Sequence, residues 1–147
     1  LATGTKIDLT DVDAETSPAW DLAVKRPILF TNSGHAGPGQ GGAVFLPGAT
    51  FDAVTSADAA GKTLAAESFF DAECNAKTDP TGAVLTSFDG WYEYDSATNR
   101  LSPATGVWLV RGAGGALYKL EILSYYAAPD GGVGQSGGRY TMKVGAL

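Results

Sequence analysis

Three side chains with a wide chemical repertoire occur once each in this chain: His35, Met142 and Cys74. His35 lies in the stretch Asn32-Ser33-Gly34-His35-Ala36-Gly37-Pro38-Gly39-Gln40-Gly41-Gly42. A neutral imidazole there serves either as a metal ligand or as an ordinary loop histidine in contact with solvent. Met142 sits in the alternating run Arg139-Tyr140-Thr141-Met142-Lys143-Val144, where a thioether more often fills a core than binds a metal. Cys74 has no second cysteine for an internal disulfide. Its neighbours Asp71 and Glu73 discourage thiolate formation, and a buried thiol, an exposed thiol and pairing with a second chain stay open. Asp8, Asp11, Asp13 and Glu15 offer hard oxygen atoms. A calcium site at Asp11, Asp13 and Glu15 is the alternative to a plain solvated turn, since the run lacks the glycine and the distal glutamate of an EF-hand loop.

Catalytic patterns are sparse. The sequence Gly37-Pro38-Gly39-Gln40-Gly41-Gly42 satisfies G-x-G-x-x-G, but Ala43-Val44-Phe45-Leu46-Pro47-Gly48 follows it. That run reads as a strand stopped by proline, so no helix N-terminus is available to hold a pyrophosphate. Ser33 is the serine nearest His35 in sequence, and it lies in no nucleophile elbow. The remaining carboxylates, such as Asp52, Asp58, Asp89 and Glu93, are scattered without the spacing of an acid/base pair. A non-enzyme is expected.

The elements that must position these residues are strands. The 147 residues suit one domain, 1–147, and 20 glycines, 7 prolines and a 10% aromatic share weight it toward strands and turns. Trp20, Leu22 and Val24 share one face of a half-buried strand that Pro27 interrupts before Ile28-Leu29-Phe30. Residues 107–111 and 117–126 flank Gly112-Ala113-Gly114-Gly115 as a hairpin. A second glycine-rich turn at 130–138 leads to a third strand, giving an antiparallel meander. Tyr118, Leu120 and Ile122 face one way in the second strand, and Tyr140, Met142 and Val144 one way in the third. Between residues 50 and 86 the pattern breaks into short apolar groups, with a helical turn expected near 64–72 and short helical turns across the middle region. The fold class is mostly β: antiparallel meanders forming a curved sheet or sandwich.

A net charge of −6 without a basic cluster argues against nucleic acid and anionic membranes, and no apolar run is long enough for a membrane span. The chain opens on Leu1 rather than methionine, which suits either a mature form whose targeting peptide has been removed or a chain trimmed at its N-terminus. Trp91, Tyr92 and Tyr125 pack a core by default. Turned outward, each could stack on a flat ligand or a protein partner.

The order Trp20-Asp21-Leu22-Ala23-x-x-Arg26, Thr31-Asn32-Ser33-Gly34, Gly41-Gly42-Ala43, Gly90-Trp91-Tyr92-x-Tyr94, Val107-Trp108-Leu109-Val110-Arg111, Tyr118-Lys119-Leu120 through Tyr125-Tyr126 and Gly138-Arg139-Tyr140 resembles the HmuY family. The resemblance implies an exported bacterial protein, extracellular, at the cell surface or in the periplasm and often lipid-anchored, that binds haem or a related tetrapyrrole between two axial side chains, histidines or methionines. Carried over to this chain, it leaves His35 and Met142 as candidate axial ligands and Trp91 and Tyr92 as candidate haem-stacking residues. One histidine excludes a bis-histidine pair within the chain. The rival expectation is a structural or interaction module on the same scaffold, a coat, adhesin or self-assembling subunit that has lost the haem ligands and joins its partners through open sheet edges.

Overall fold

The computed structural model describes residues 17, 19–80, 82–130 and 132–147. The acidic run at 8–15, with Asp11, Asp13 and Glu15, lies outside them. Among the described residues eight strands are present: β1 Leu22–Lys25, β2 Ile28–Thr31, β3 Gly42–Pro47, β4 Tyr92–Asp95, β5 Arg100–Pro103, β6 Gly106–Arg111, β7 Leu117–Ser124 and β8 Thr141–Ala146. They form a four-stranded antiparallel sheet in the order β3-β6-β7-β8 and two hairpins, β1-β2 and β4-β5. The fold is mostly β, as its periodicity leads one to expect.

Strand β6 explains the architecture. Its residues are buried almost without interruption, because both faces of the sheet are covered. Trp108 and Val110 point into the main core with Leu120 and Ile122 of β7, Leu22 and Leu29 of the first hairpin, and Phe88. Val107 and Leu109 point the other way, against Val54 and Leu64 in the connection that follows β3. The meander β6-β7-β8 follows the sequence reading. The docking of β3 on the far side of β6, from Gly42↔Arg111 to Pro47↔Gly106, is non-sequential and left no periodic signal.

Pro27 ends a strand by completing a turn. Lys25 pairs with Ile28, so Arg26 and Pro27 form a two-residue hairpin loop. Arg26 has φ 55° and proline fixes a negative φ after it, the combination that suits the twist of paired strands. Leu22, Val24, Leu29 and Thr31 share the inward face by register. Trp20 departs from the expected alternation: it precedes β1, and its ring meets Phe30 edge-on at 6.0 Å. Val144 also departs, being exposed on β8, an edge strand among the described residues, while its alternation partner Met142 packs against the core.

The helical turns are 3₁₀ turns at Gly34–Ala36, Phe51–Ala53 and Ser56–Ala59. No helix forms at 64–72. Ala65 bridges Ala43 instead, each N–H donating to the other's carbonyl, and the segment runs extended to present Glu67 inward.

Candidate functional site

The glycine-rich stretch after β2 is assembled around two buried polar side chains. Glu67 is only 2% exposed. Its Oε1 accepts hydrogen bonds from the Thr31 N–H at 2.7 Å, the Thr31 hydroxyl at 3.2 Å and the Ser87 hydroxyl at 2.5 Å, and its Oε2 accepts one from the Ser87 N–H at 2.9 Å. Ser33 Oγ accepts from the Glu67 N–H at 3.0 Å. Asn32 donates through Nδ2 to the carbonyls of Ser17 and Trp20, while its Oδ1 accepts from Gly39 N–H at 2.9 Å. Asp21 accepts from Ala113 N–H at 2.8 Å, tying β1 to the β6-β7 turn. Thr31, Asn32, Ser33 and Asp21 are therefore consumed in building the scaffold. The glycines serve close approach: a Cβ on Gly39 would stand 2.6 Å from the Asn32 carbonyl oxygen and 2.7 Å from Ala113 Cβ.

His35 sits on the 3₁₀ turn after this knot. Its ring lies beside Phe69 and Phe70, with centroids at 6.3 and 5.8 Å, and Phe70 is 48% exposed. His35 Nδ1 accepts a hydrogen bond from Phe69 N–H at 3.0 Å, which places the ring proton of the neutral form on Nε2. Met142, opposite Ile122 in the β7-β8 ladder, packs against the main core. Those neighbours do not overlap with the neighbours of His35. Cys74 is exposed, at φ 64° in a tight turn. Among the described residues no three His, Cys, Asp or Glu side chains converge as a metal-binding group.

Trp91 and Tyr92 are brought together elsewhere, with ring centroids 4.8 Å apart. Trp91 is 3% exposed and donates from Nε1 to the Pro27 carbonyl at 2.7 Å. Tyr140 donates its hydroxyl to the neighbouring Arg26 carbonyl at 2.6 Å, so two aromatic donors hold the β1-β2 turn. Beside this latch opens a cleft of about 610 Å³, lined by Pro27 and Ile28 from the hairpin, Val84, Phe88 and Trp91 from the connection before β4, and Tyr92, Tyr94 and Leu101 from the β4-β5 ribbon. Its polar groups include Asp79, Thr86 and Asp89. No Lys, Arg, His or Met is among the described residues that line it. Tyr94 is 57% exposed, its hydroxyl donating to Asn99 Oδ1 at 2.6 Å. Burial first, and then the charges of Asp79 and Asp89, raise the Tyr92 hydroxyl above the ordinary phenol range, so it stays a neutral donor at physiological pH. Asp79 and Val84 were not expected at a site, Asp89 reads in sequence as one of the scattered carboxylates, and Tyr94 as part of the family-like cluster. The Gly90-Trp91-Tyr92-x-Tyr94 cluster was the cleft's one visible trace.

The sequence matches the HmuY protein family over residues 1–140. The chain belongs to the HmuY family. A lipoprotein of Bacteroides fragilis with a solved structure is similar at 17% identity, over 89% of this chain and 71% of that chain, with a TM-score of 0.47. No curated protein sequence matches.

Membership of the HmuY family raises the question of haem, and the candidate ligands among the described residues do not fit a haem iron held on both faces. An imidazole that ligates through Nε2 carries its proton on Nδ1, whereas Nδ1 of His35 is occupied as an acceptor. Met142 is engaged in the core. Tyr92, kept neutral by its surroundings, is a poor source of an anionic phenolate ligand. The two carboxylates at the cleft also repel the propionates that haem carries.

Proposed function

We propose that this HmuY family member is a non-enzymatic, exported cell-surface binding protein, and that its ligand occupies the cleft between the β1-β2 turn and the β4-β5 ribbon. The observation that supports this reading is the cleft itself: about 610 Å³, within the range of small-molecule sites and walled by aromatic side chains with few polar groups. Of the tetrapyrroles, the ligand class that the family implies, one without ionised propionates suits this cleft, held by stacking on Tyr92 and Tyr94 rather than by axial bonds. Titration with the uncharged planar dye Nile red, followed by quenching of tryptophan emission, tests the site. Saturable one-to-one quenching that disappears in Val84→Trp, which fills the cleft from a partly exposed position, is the expected result. Equal binding by that variant, or none by either protein, would overturn the reading. A parallel haemin titration should show no Soret change that depends on His35→Ala; a change weakened by that substitution would restore His35 as an axial ligand.

A second reading, assembly through sheet edges, draws on β8. Among the described residues it pairs with β7 alone in the four-stranded sheet, and its Val144 is exposed. An open edge of this kind can accept a strand from another chain. Growth of particle mass with concentration in light scattering would support assembly, and a constant monomer mass would reject it.

A further inference from the structure

The cleft joins three properties that together specify a charge class of ligand. It is bounded by flat rings, those of Trp91, Tyr92 and Tyr94. It carries two carboxylates, Asp79 and Asp89, without a basic side chain among the described residues of its wall. Both carboxylates line the same cleft as Tyr92, and after burial each of them raises its hydroxyl. The aromatic faces attract cations through their quadrupoles, and the carboxylates act in the same direction, reinforced by the net charge of −6 over the whole chain.

We infer that the cleft selects a small planar organic cation, an aromatic ring bearing a protonated amine or a quaternary nitrogen, over an anionic ring of the same size. This rests on the cleft being the binding site. The ring stacks on the tyrosines while its positive group lies toward Asp79 and Asp89, and the neutral Tyr92 hydroxyl supplies a donor for a polar substituent. Recognition of this kind needs no metal and no bond change in the ligand.

Two three-ring acridines of similar size and opposite charge test the inference: proflavine, a planar monocation, and acridine-9-carboxylate, a planar monoanion. In low salt proflavine should bind about tenfold tighter or more, and added salt should narrow the gap. Asp89→Asn should weaken proflavine by about two- to fivefold, as expected for a partly solvated charge pair, and shift the affinity for uncharged Nile red by less than it shifts that for proflavine. Asp79→Asn should do the same, although Asp79 Oδ1 also accepts from Ala83 N–H at 2.9 Å. Asp89→Asn is therefore the deciding variant, with a thermal melt to confirm its fold. Equal affinity for the two acridines, or proflavine binding indifferent to Asp89→Asn, would overturn the charge selection while Nile red still located the site. Failure of Nile red and both acridines would overturn the cleft reading and this inference with it.

Discussion

Replacing Glu67 by Gln puts the central knot of the scaffold to a quantitative test. Glutamine has nearly the shape of glutamate but offers one acceptor oxygen where glutamate offers two. Its best placement puts the amide oxygen where Oε1 receives Thr31 and the Ser87 hydroxyl, leaving the amide nitrogen facing the Ser87 N–H that Oε2 now accepts at 2.9 Å. One hydrogen bond to a charged acceptor is lost, a donor is set against a donor, and the three remaining bonds lose their charge assistance. A hydrogen bond to a charged group contributes about 1.5–3 kcal/mol, and an orphaned buried donor costs about 1–3 kcal/mol. Because the desolvation cost of a buried carboxylate disappears with its charge, the net loss should be about 2–4 kcal/mol. For a chain of 147 residues that corresponds to a fall in Tm of roughly 5–15 °C. Urea unfolding followed by emission of the buried Trp91 and Trp108 measures it, with the m-value checked for constancy. A loss below about 0.5 kcal/mol would mean that the carboxylate is not what orders Thr31, Ser33 and Ser87, and the account of the Thr31-Asn32-Ser33-Gly34 motif would fail with it.

Two further outcomes follow from the same geometry. Gly39→Ala places a methyl group against the Asn32 carbonyl and Ala113, and should cost about 1–3 kcal/mol; a neutral effect in urea unfolding would show that the glycine loop is loosely packed. Burial, then Tyr125 and Tyr92, raise the Tyr140 hydroxyl well above the ordinary phenol range. The unfolded chain therefore loses that proton first as pH rises past about 10, so the stabilisation is complete below that pH and declines above it. Tyr140→Phe should cost about 1 kcal/mol at neutral pH, through loss of the bond to Arg26, and flatten the alkaline decline by up to about 1.4 kcal/mol per pH unit; an unchanged slope in pH-dependent melts would remove Tyr140 as its source.

Legibility in the sequence tracked local periodicity. Strands β6, β7 and β8 carry alternation or a continuous apolar run, and their glycine-rich connections mark where the chain turns. The pairing of β3 with β6 spans a long connection, so nothing local announces it. Glu67 was invisible for a similar reason: its partners Thr31 and Ser87 are 36 and 20 positions away, and a lone glutamate among alanine and serine reads as surface. Trp91 and Tyr92 stood out as residue types, but the two aspartates that give their cleft its electrostatic character come from a segment without regular pattern. His35 attracted notice as a metal-binding type, whereas its Phe69 hydrogen bond depends on an extended course for 64–72 that the sequence did not reveal.

The latch at the β1-β2 turn has a consequence for how the chain reaches its native state. The donor that holds the Pro27 carbonyl is 64 positions downstream, and the donor that holds the Arg26 carbonyl is 114 positions downstream. Contacts of such long sequence separation form late and slow folding, because the loop entropy is spent before the contact returns it. A nascent chain emerging from its N-terminus can close the first hairpin early, yet the hairpin cannot be locked until β8 has been made. Synthesis must therefore pass Tyr140 before both carbonyls of the first hairpin turn are held, leaving an interval in which the aromatic side chains around it are open to chaperones and to one another.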